Sequence, residues 1–283
     1  MSPGGGHRRP GLGAVLAVCL ALASVAAAEP PRRVVTTNLC ADLLALELAA
    51  PGQLVSVSFL AADPRSSPLA EQAAALPLNR GLAEEIVALR PDLVIAGRHT
   101  ARAATAMLER LGHRVMRLEL AATLDDARDQ IRAVATALGR VETGERMVRR
   151  IDTGLARVAT VEPRPLALIY RPNGFTAGPA TLPGAVLAAS GLANAAGVAG
   201  IDTWGMLGLE RVLWLRPRLL VVDERAGRAP ALAAALLDHP ALARSPGAAA
   251  RVEVPDRLWG CPGPWLVEAG TRLADARARL LAP

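Results

Sequence analysis

The chain has 283 residues, of which 52% are apolar, and a formal net charge of +6 that comes from arginine without any lysine. The arginines are spread among carboxylates and form no basic run, which argues against a nucleic-acid-binding surface. Aromatic side chains are scarce, with two Phe, one Tyr and four Trp. A tryptophan near a cleft would therefore be a candidate for binding.

The first 28 residues have the pattern of a secretory signal peptide. A basic start precedes an apolar stretch over 12–25, and three alanines end just before Glu29. The apolar stretch is too short for a membrane span. The sequence therefore predicts a mature protein exported to the periplasm by a cleaved signal peptide. A lipoprotein anchored through Cys19 is the alternative, which Val18 disfavours because valine is a poor residue before a lipidated cysteine.

Strand and helix patterns alternate over residues 29–122, which predicts a first α/β lobe with a parallel sheet covered on both faces. Prolines and serines predict a loop at 63–68. The predicted strands are 33–37, 54–57, 93–96 and 114–118, and the predicted helices are 41–50, 82–89 and 100–111.

Residues 123–160 have helical spacing and many charges but no strand pattern, which predicts a helical bridge that includes the helix between the lobes. A second α/β lobe is predicted over 161–283. Its predicted strands are 166–170, 219–222 and 251–254, and its predicted helices are 181–190, 208–215, 230–237 and one from about 265. Ligands of open parallel sheets bind beyond the carboxyl ends of the strands, so the loops that follow the strands are expected to line the binding site.

A short pattern occurs twice, once in each predicted lobe. Residues 83–95 and 209–221 each carry a glutamate at the start of a short helix, then a proline, then an apolar strand. The helical spacing turns these two residues, Glu84 and Glu210, toward solvent. They are either matched contacts for a partner or ordinary solvated positions, where a first-turn glutamate gains roughly a few tenths of a kcal/mol from the helix dipole.

Several pieces of the mature sequence occur in the same order in one known family. They are Arg33 to Val35 with Asn38 to Asp42 after it, Glu84 to Ile95, Phe175 to Gly178, Trp204 six residues before Glu210, and Asp256 to Trp265. Through them the chain resembles the periplasmic binding proteins of iron-siderophore and cobalamin ABC importers, above all the cobalamin-binding members. The resemblance implies two parallel-sheet α/β lobes joined by a single long helix, with the ligand cleft between the lobes.

The resemblance also implies a function. A monomer would capture cobalamin, another corrinoid or a similar metal chelate and deliver it to the permease of an ABC importer in the inner membrane. In that family a glutamate on each lobe pairs with permease arginines, and the matching residues are Glu84 and Glu210. The protein needs no cofactor or metal site of its own, since any cobalt or iron arrives with the ligand.

Most of the expected ligand-binding residues follow from the same resemblance, and Arg98, Tyr170 and Arg171 follow from the haem alternative given below. They are Asn38, Cys40, Leu60, Leu78, Arg98, Tyr170, Arg171, Phe175, Trp204, Asp256 and Trp259. Leu60 and Leu78 depart from the pattern, because the cobalamin-binding members have aromatic residues at these places. A leucine can still cover the face of a corrin ring.

Cys40 and Cys261 are the cysteines that remain after export, and the implied fold puts both on loops that face the cleft. A disulfide between the lobes, a soft contact to the metal of a ligand, and two unpaired thiols are all open at this point.

Other functions have less support in the sequence. A ferric siderophore is an alternative ligand, and so is haem held by Tyr170 or His99 with its propionates on Arg98 and Arg171. The cleft loops lack the several histidines and carboxylates that a zinc or manganese site needs. No nucleophile elbow, phosphate loop or dinucleotide fingerprint is present, so the protein is not expected to be an enzyme and no catalytic residue is predicted.

Overall fold

The structure is a computed structural model, and it describes residues 29–159, 162–224, 239–244 and 250–282. The predicted signal peptide with Cys19 and the predicted helix 230–237 lie outside the described residues. No helix in the described ranges is long and apolar enough to cross a bilayer.

The first lobe is built on a parallel five-stranded sheet within the described residues. Its strands are β1 (Val34–Thr36), β2 (Leu54–Ser58), β3 (Leu78–Asn79), β4 (Leu93–Gly97) and β5 (Val115–Leu118), in the spatial order β3-β2-β1-β4-β5. Its helices are α1 (Leu39–Leu48), α2 (Ala70–Ala74), α3 (Ala83–Ala88) and α4 (Arg102–Arg110).

Both faces of this sheet are covered, which explains why its strands are continuously apolar. Val34 and Val35 are each 0% exposed although neighbouring residues of a strand point to opposite faces. Helix α1 packs on the face of Val34, and helices α3 and α4 pack on the face of Val35.

The second lobe has its own parallel sheet, in the order β11-β10-β6-β8, whose strands are β6 (Leu166–Ile169), β8 (Ala193–Asn194), β10 (Leu219–Val222) and β11 (Arg251–Glu253). Beside it, β7 (Phe175–Ala177) and β9 (Trp204–Met206) form a separate antiparallel ribbon. The described helices of this lobe are α7 (Leu182–Ala189), α8 (Ala195–Val198), α9 (Leu209–Leu215), α10 (Pro240–Arg244) and α11 (Leu266–Leu281). The sequence predicted loops where the ribbon lies, because strands of three residues are too short to show an alternating pattern.

Two helices connect the lobes. Helix α5 (Leu124–Ala137) begins with a capping box formed by Thr123 and Asp126, and α6 (Val141–Val158) follows it. Helix α6 packs against α5 of the bridge and against α11 of the second lobe. Gly144 and Gly154 permit this close packing, because a Cβ at either position would come within 2.5 Å of a neighbouring side chain. The two parallel-sheet lobes with a long helix between them confirm the predicted fold class.

The repeated pattern corresponds to a repeated piece of structure. Helix α3 leads to Arg90 and β4, and helix α9 leads to Arg216 and β10. Both arginines have a left-handed backbone, with φ of +46° and +48°. Each precedes a proline, which disfavours the helical conformation in the residue before it and so ends the helix.

Candidate functional site

A cleft between the lobes contains a hollow of about 520 Å³. Residues of both lobes line it: Leu39, Leu43, Asp63, Arg65 and Ser66 from the first, and Arg171, Pro183, Trp204, Asp256, Arg257, Gly260 and Cys261 from the second. A second hollow of about 800 Å³ shares Asp63, Arg65 and Arg257 with the first. The two hollows are therefore neighbours, and the volume of each falls in the usual range of ligand pockets.

A disulfide links the two lobes next to the cleft. It joins Cys40 in the first turn of α1 to Cys261 in the loop before α11, with a Cα separation of 5.1 Å. Asn38 caps α1 by accepting a hydrogen bond from the backbone N–H of Cys40 at 3.1 Å, and Trp265 donates from its indole to the carbonyl of Cys261 at 2.8 Å. In this state neither sulfur is a thiolate, so the alternative of cysteine ligation to a metal does not fit the structure. Asn38 caps a helix and does not line either hollow.

An aromatic platform lies on the second lobe. Phe175 and Trp204 stack with their ring centroids 5.5 Å apart and their planes 4° from parallel. Met206 pairs directly with Phe175 across the ribbon, so all three side chains lie on one face. Phe175 is 37% exposed, Trp204 38% and Met206 61%, although large apolar side chains are usually buried.

Hydrogen bonds fix the ribbon that carries this platform. The Thr176 hydroxyl donates to the Ile169 carbonyl at 2.6 Å, and the Tyr170 hydroxyl donates to the Leu207 carbonyl at 3.1 Å. The amide of Leu207 donates to the carbonyl of Gly174 at 2.8 Å. The platform is therefore held in place before any ligand arrives.

Exposed apolar side chains also occur on the first lobe, at the carboxyl end of β2 and in β3. Leu60 is 37% exposed and Leu78 is 47% exposed. Phe59, which the sequence analysis missed, is 52% exposed. It begins a 3-10 turn over 59–62, directly after β2. Phe59 is one of only two phenylalanines in the chain, and it lies just after a predicted strand. These two facts could have identified it as a candidate ligand contact.

Ion pairs line the cleft on both sides. Arg171 pairs with Asp256, and the Arg171 side chain is only 13% exposed. Arg257 contacts Glu224 at 2.5 Å, and Arg65 contacts Asp63 at 2.8 Å. Hydrogen bonds from Arg65 hold the pKa of Asp63 below its usual value. The cleft thus offers guanidinium donors beside carboxylate acceptors around an apolar surface.

The structure contradicts two of the predicted ligand contacts. Tyr170 is 0% exposed and Trp259 is 1% exposed, so neither side chain can reach a ligand in this conformation. Burial, together with the charge of Glu210, raises the pKa of Tyr170 to about 12. The sequence prediction failed because Tyr170 continues the buried pattern of β6 and Trp259 packs into the main core.

Arg98 and His99 lie after β4 and do not line either described hollow. Arg98 forms an ion pair with Glu119, and its side chain is half exposed. No three His, Cys, Asp or Glu side chains are grouped to hold a metal ion anywhere in the part of the chain that the structure describes.

A carboxylate, Asp42, is buried in the core of the first lobe. The hydroxyl of Thr36 donates to it at 2.5 Å, the amide of Ser58 donates at 3.0 Å, and the hydroxyl of Ser58 donates as well. Burial raises the pKa of Asp42 to about 6, although these hydrogen bonds act in the opposite direction. The side chain connects β1, β2 and α1.

Glu84 and Glu210 are exposed at the starts of α3 and α9, as the repeat predicts. Ile86 in one helix and Val212 in the other are each 1% exposed and attach the helices to their sheets. The two carboxylates therefore extend into solvent from matched positions on the two lobes.

These features define a class of protein: a two-lobed α/β binding protein with its site between the lobes. Residues 34–252 match the model of the periplasmic binding protein family. This match shows that the chain belongs to that family, as the sequence analysis predicted. It is a solute-binding protein that serves an ABC importer, and not an enzyme.

Three comparisons describe its likeness to known proteins. A cobalamin-binding protein of Halobacterium salinarum is 28% identical over 256 residues, which cover 87% of this chain and 69% of the relative. The apo structure of a periplasmic haem-binding protein from Roseiflexus is 27% identical with a TM-score of 0.70, over 87% of this chain and 98% of that one. The periplasmic vitamin B12-binding protein of Vibrio cholerae has a TM-score of 0.67 over 90% of this chain and 99% of its own, and at 19% identity it shows the fold alone.

Proposed function

We propose that this protein captures cobalamin or another corrinoid in the periplasm and delivers it to the permease of an ABC importer. The observation that carries the proposal is the stacked, exposed pair of Phe175 and Trp204 in an otherwise aromatic-poor chain, in which Trp204 lines the cleft and Phe175 extends the platform beside it. A flat aromatic surface suits the broad face of a macrocyclic ligand, because stacking buries a large rigid area without ordering flexible side chains.

The residues around the platform favour a corrinoid over haem. Haem iron is normally held by an axial side chain such as His, Tyr, Cys or Met. The chain's one tyrosine is buried with its hydroxyl bonded to Leu207, and the residues that line the two described hollows include no histidine. Cobalamin carries axial ligands of its cobalt with it, so it needs only apolar contact and hydrogen bonds from the protein.

Polar groups in the cleft fit the periphery of such a ligand. Arg65 and Arg257 come from opposite lobes and line both hollows. Their guanidinium groups can donate hydrogen bonds to amide carbonyls or to a phosphate. Asp63 and Asp256 supply acceptors for amide N–H groups in the same space.

Haem is the second candidate, for two specific reasons. The Roseiflexus haem-binding protein resembles this chain at 27% identity. Met206 is 61% exposed beside the aromatic pair, and a methionine thioether is one of the side chains that ligate haem iron.

Delivery is proposed to use the two matched glutamates. Glu84 and Glu210 lie on different lobes, so a partner with two basic sites can contact both at once. The predicted signal peptide at 1–28 supports a periplasmic location.

A binding experiment tests the ligand assignment. The mature protein is titrated with cyanocobalamin, haem and a ferric siderophore while tryptophan fluorescence and the melting temperature are recorded. Cyanocobalamin is expected to quench the fluorescence and raise the melting temperature by mass action. The double variant Phe175→Ala/Trp204→Ala is expected to bind at least tenfold more weakly, whereas the control Val141→Ala, which removes an exposed apolar side chain of α6, binds normally. The corrinoid assignment would be overturned if the wild-type protein does not respond to cyanocobalamin but binds haem. In that case a Soret shift seen with wild type and lost in Met206→Ala would identify Met206 as the haem ligand.

A further inference from the structure

One tryptophan has no place in the site described above. Trp214 lies on α9 and is 65% exposed. The other tryptophans are accounted for, since Trp204 belongs to the platform and Trp259 and Trp265 are buried. Tryptophan is among the residues most enriched at the centres of protein interfaces, so Trp214 is a candidate contact for a partner.

The neighbours of Trp214 indicate what kind of surface this is. Trp214 lies one helical turn after Glu210, so the two side chains share a face of α9. The guanidinium carbon of Arg211 lies 4.8 Å from the centre of the Trp214 ring. This cation-π contact restrains the ring in its exposed position. We call Glu210, Arg211 and Trp214 the α9 surface.

The repeat shows that the α9 surface is a departure from the common pattern. When 83–95 is laid on 209–221, Glu84 matches Glu210 while Ala88 stands where Trp214 is. Both helices keep the same buried positions, Ile86 and Val212. The packing of α9 on its sheet therefore does not require a tryptophan at position 214. A function on the exposed face of α9 explains Trp214 better than packing does.

We propose that Trp214 is an apolar anchor through which the second lobe docks on the importer's permease, with its ring entering an apolar pocket beside a basic residue that faces Glu210. This inference rests on the proposed docking role of Glu210. Tryptophan is among the residues most enriched at binding hot spots, and here the stacked Arg211 limits the rotamer freedom lost on docking.

A protein partner fits the α9 surface better than a lipid surface does. Tryptophan and arginine occur together at membrane interfaces, but surfaces that bind anionic headgroups carry a net positive charge. Within the α9 surface the carboxylate of Glu210 offsets the charge of Arg211, the next residue of the helix. A permease with an apolar pocket and a cation complements both groups.

The test measures docking and ligand binding on the same proteins. The importer is reconstituted in nanodiscs, and the affinities of the wild-type protein, Trp214→Ala, Trp214→Phe, Glu84→Gln/Glu210→Gln and Val141→Ala are compared. Trp214→Ala is expected to dock at least tenfold more weakly, Trp214→Phe to keep most of the affinity, and Val141→Ala to match wild type. Cyanocobalamin affinity and the melting temperature of Trp214→Ala are expected to be unchanged, because the side chain is exposed and outside the cleft.

The outcomes separate this inference from the proposed function. Normal docking of Trp214→Ala with weak docking of the double glutamine variant overturns the anchor and leaves glutamate docking intact. Weak docking of Trp214→Ala with normal docking of the glutamine variant supports the anchor and overturns the glutamate role. The proposal of a permease partner is overturned if the wild-type protein binds protein-free nanodiscs of the same phospholipids as tightly as it binds nanodiscs that contain the importer.

Discussion

Removing the disulfide should destabilise the protein strongly. The bridge joins Cys40 to Cys261 across a sequence separation of 221 residues. In the chain-entropy model, closing so long a loop restricts the unfolded chain by about 5 kcal/mol. For a protein of this size that corresponds to a fall in melting temperature of roughly 10 to 20 °C.

The assay is equilibrium unfolding in urea followed by far-UV circular dichroism, applied to the wild-type protein and to Cys40→Ser/Cys261→Ser. The serine variant is expected to unfold at a lower urea concentration. Reductant provides the internal control for proteins produced from residue 29 onward: it should shift wild type toward the variant and leave the variant unchanged, because Cys40 and Cys261 are the only cysteines after residue 28.

The bridge should also support ligand binding, because Cys261 lines the hollow and the bond fixes one lobe to the other. Cyanocobalamin affinity is expected to fall in the serine variant, since part of the binding free energy must then order the two halves of the site.

The stability measurement can refute the loop-entropy argument. It does so if, in non-reducing buffer, the unfolding free energy of the serine variant lies within about 1 kcal/mol of the wild-type value.

Three further predictions follow from single features. The raised pKa of Asp42, about 6 in place of 3.8, means that the folded state favours the protonated acid, so this group makes the protein more stable as the pH falls. Between pH 7 and pH 5 the wild-type unfolding free energy should rise by about 1 kcal/mol relative to Asp42→Asn, and parallel pH curves for the two proteins would contradict this. Gly154→Ala should destabilise by about 1 to 3 kcal/mol in urea unfolding, because its Cβ would lie 2.5 Å from the methyl groups of Val267 on α11. The exposed Thr153→Ala on the same helix should be nearly neutral, Gly154→Ala/Val267→Ala should recover part of the loss, and a stable single variant would refute the close packing. Glu84→Arg/Glu210→Arg should abolish stimulation of the importer's ATPase while cyanocobalamin affinity stays normal, and normal stimulation would show that the glutamates are only solvated positions.

Much of the fold was predictable because its strands are buried on both faces. The apolar runs at 93–96 and 219–222 became β4 and β10, and the proline after each short helix fixed where that helix ends. The order of the strands was not predictable from the runs themselves. Strands buried on both faces are all similarly apolar, so their sequences do not encode which neighbour each one pairs with.

The site was harder to predict than the fold. Phe175 and Trp204 were expected in the cleft one by one, but their stacking depends on a ribbon that pairs residues far apart in sequence. Tyr170 and Trp259 were expected there too, and burial removes both. Whether a residue at the end of a strand points to the cleft or to the core depends on the local backbone, which a single sequence does not specify.

The ligand platform and the proposed docking helix of the second lobe belong to one continuous segment. Strand β9 carries Trp204, and only Leu207 and Gly208 separate β9 from α9 with Glu210 and Trp214. Leu207 is bonded through its amide to Gly174, next to Phe175, and through its carbonyl to Tyr170. Leu207 therefore connects α9 to both sides of the ribbon that carries the platform. If docking through the α9 surface is coupled to ligand binding, Leu207→Ala should weaken that coupling, which is measured as the change in cyanocobalamin affinity on docking.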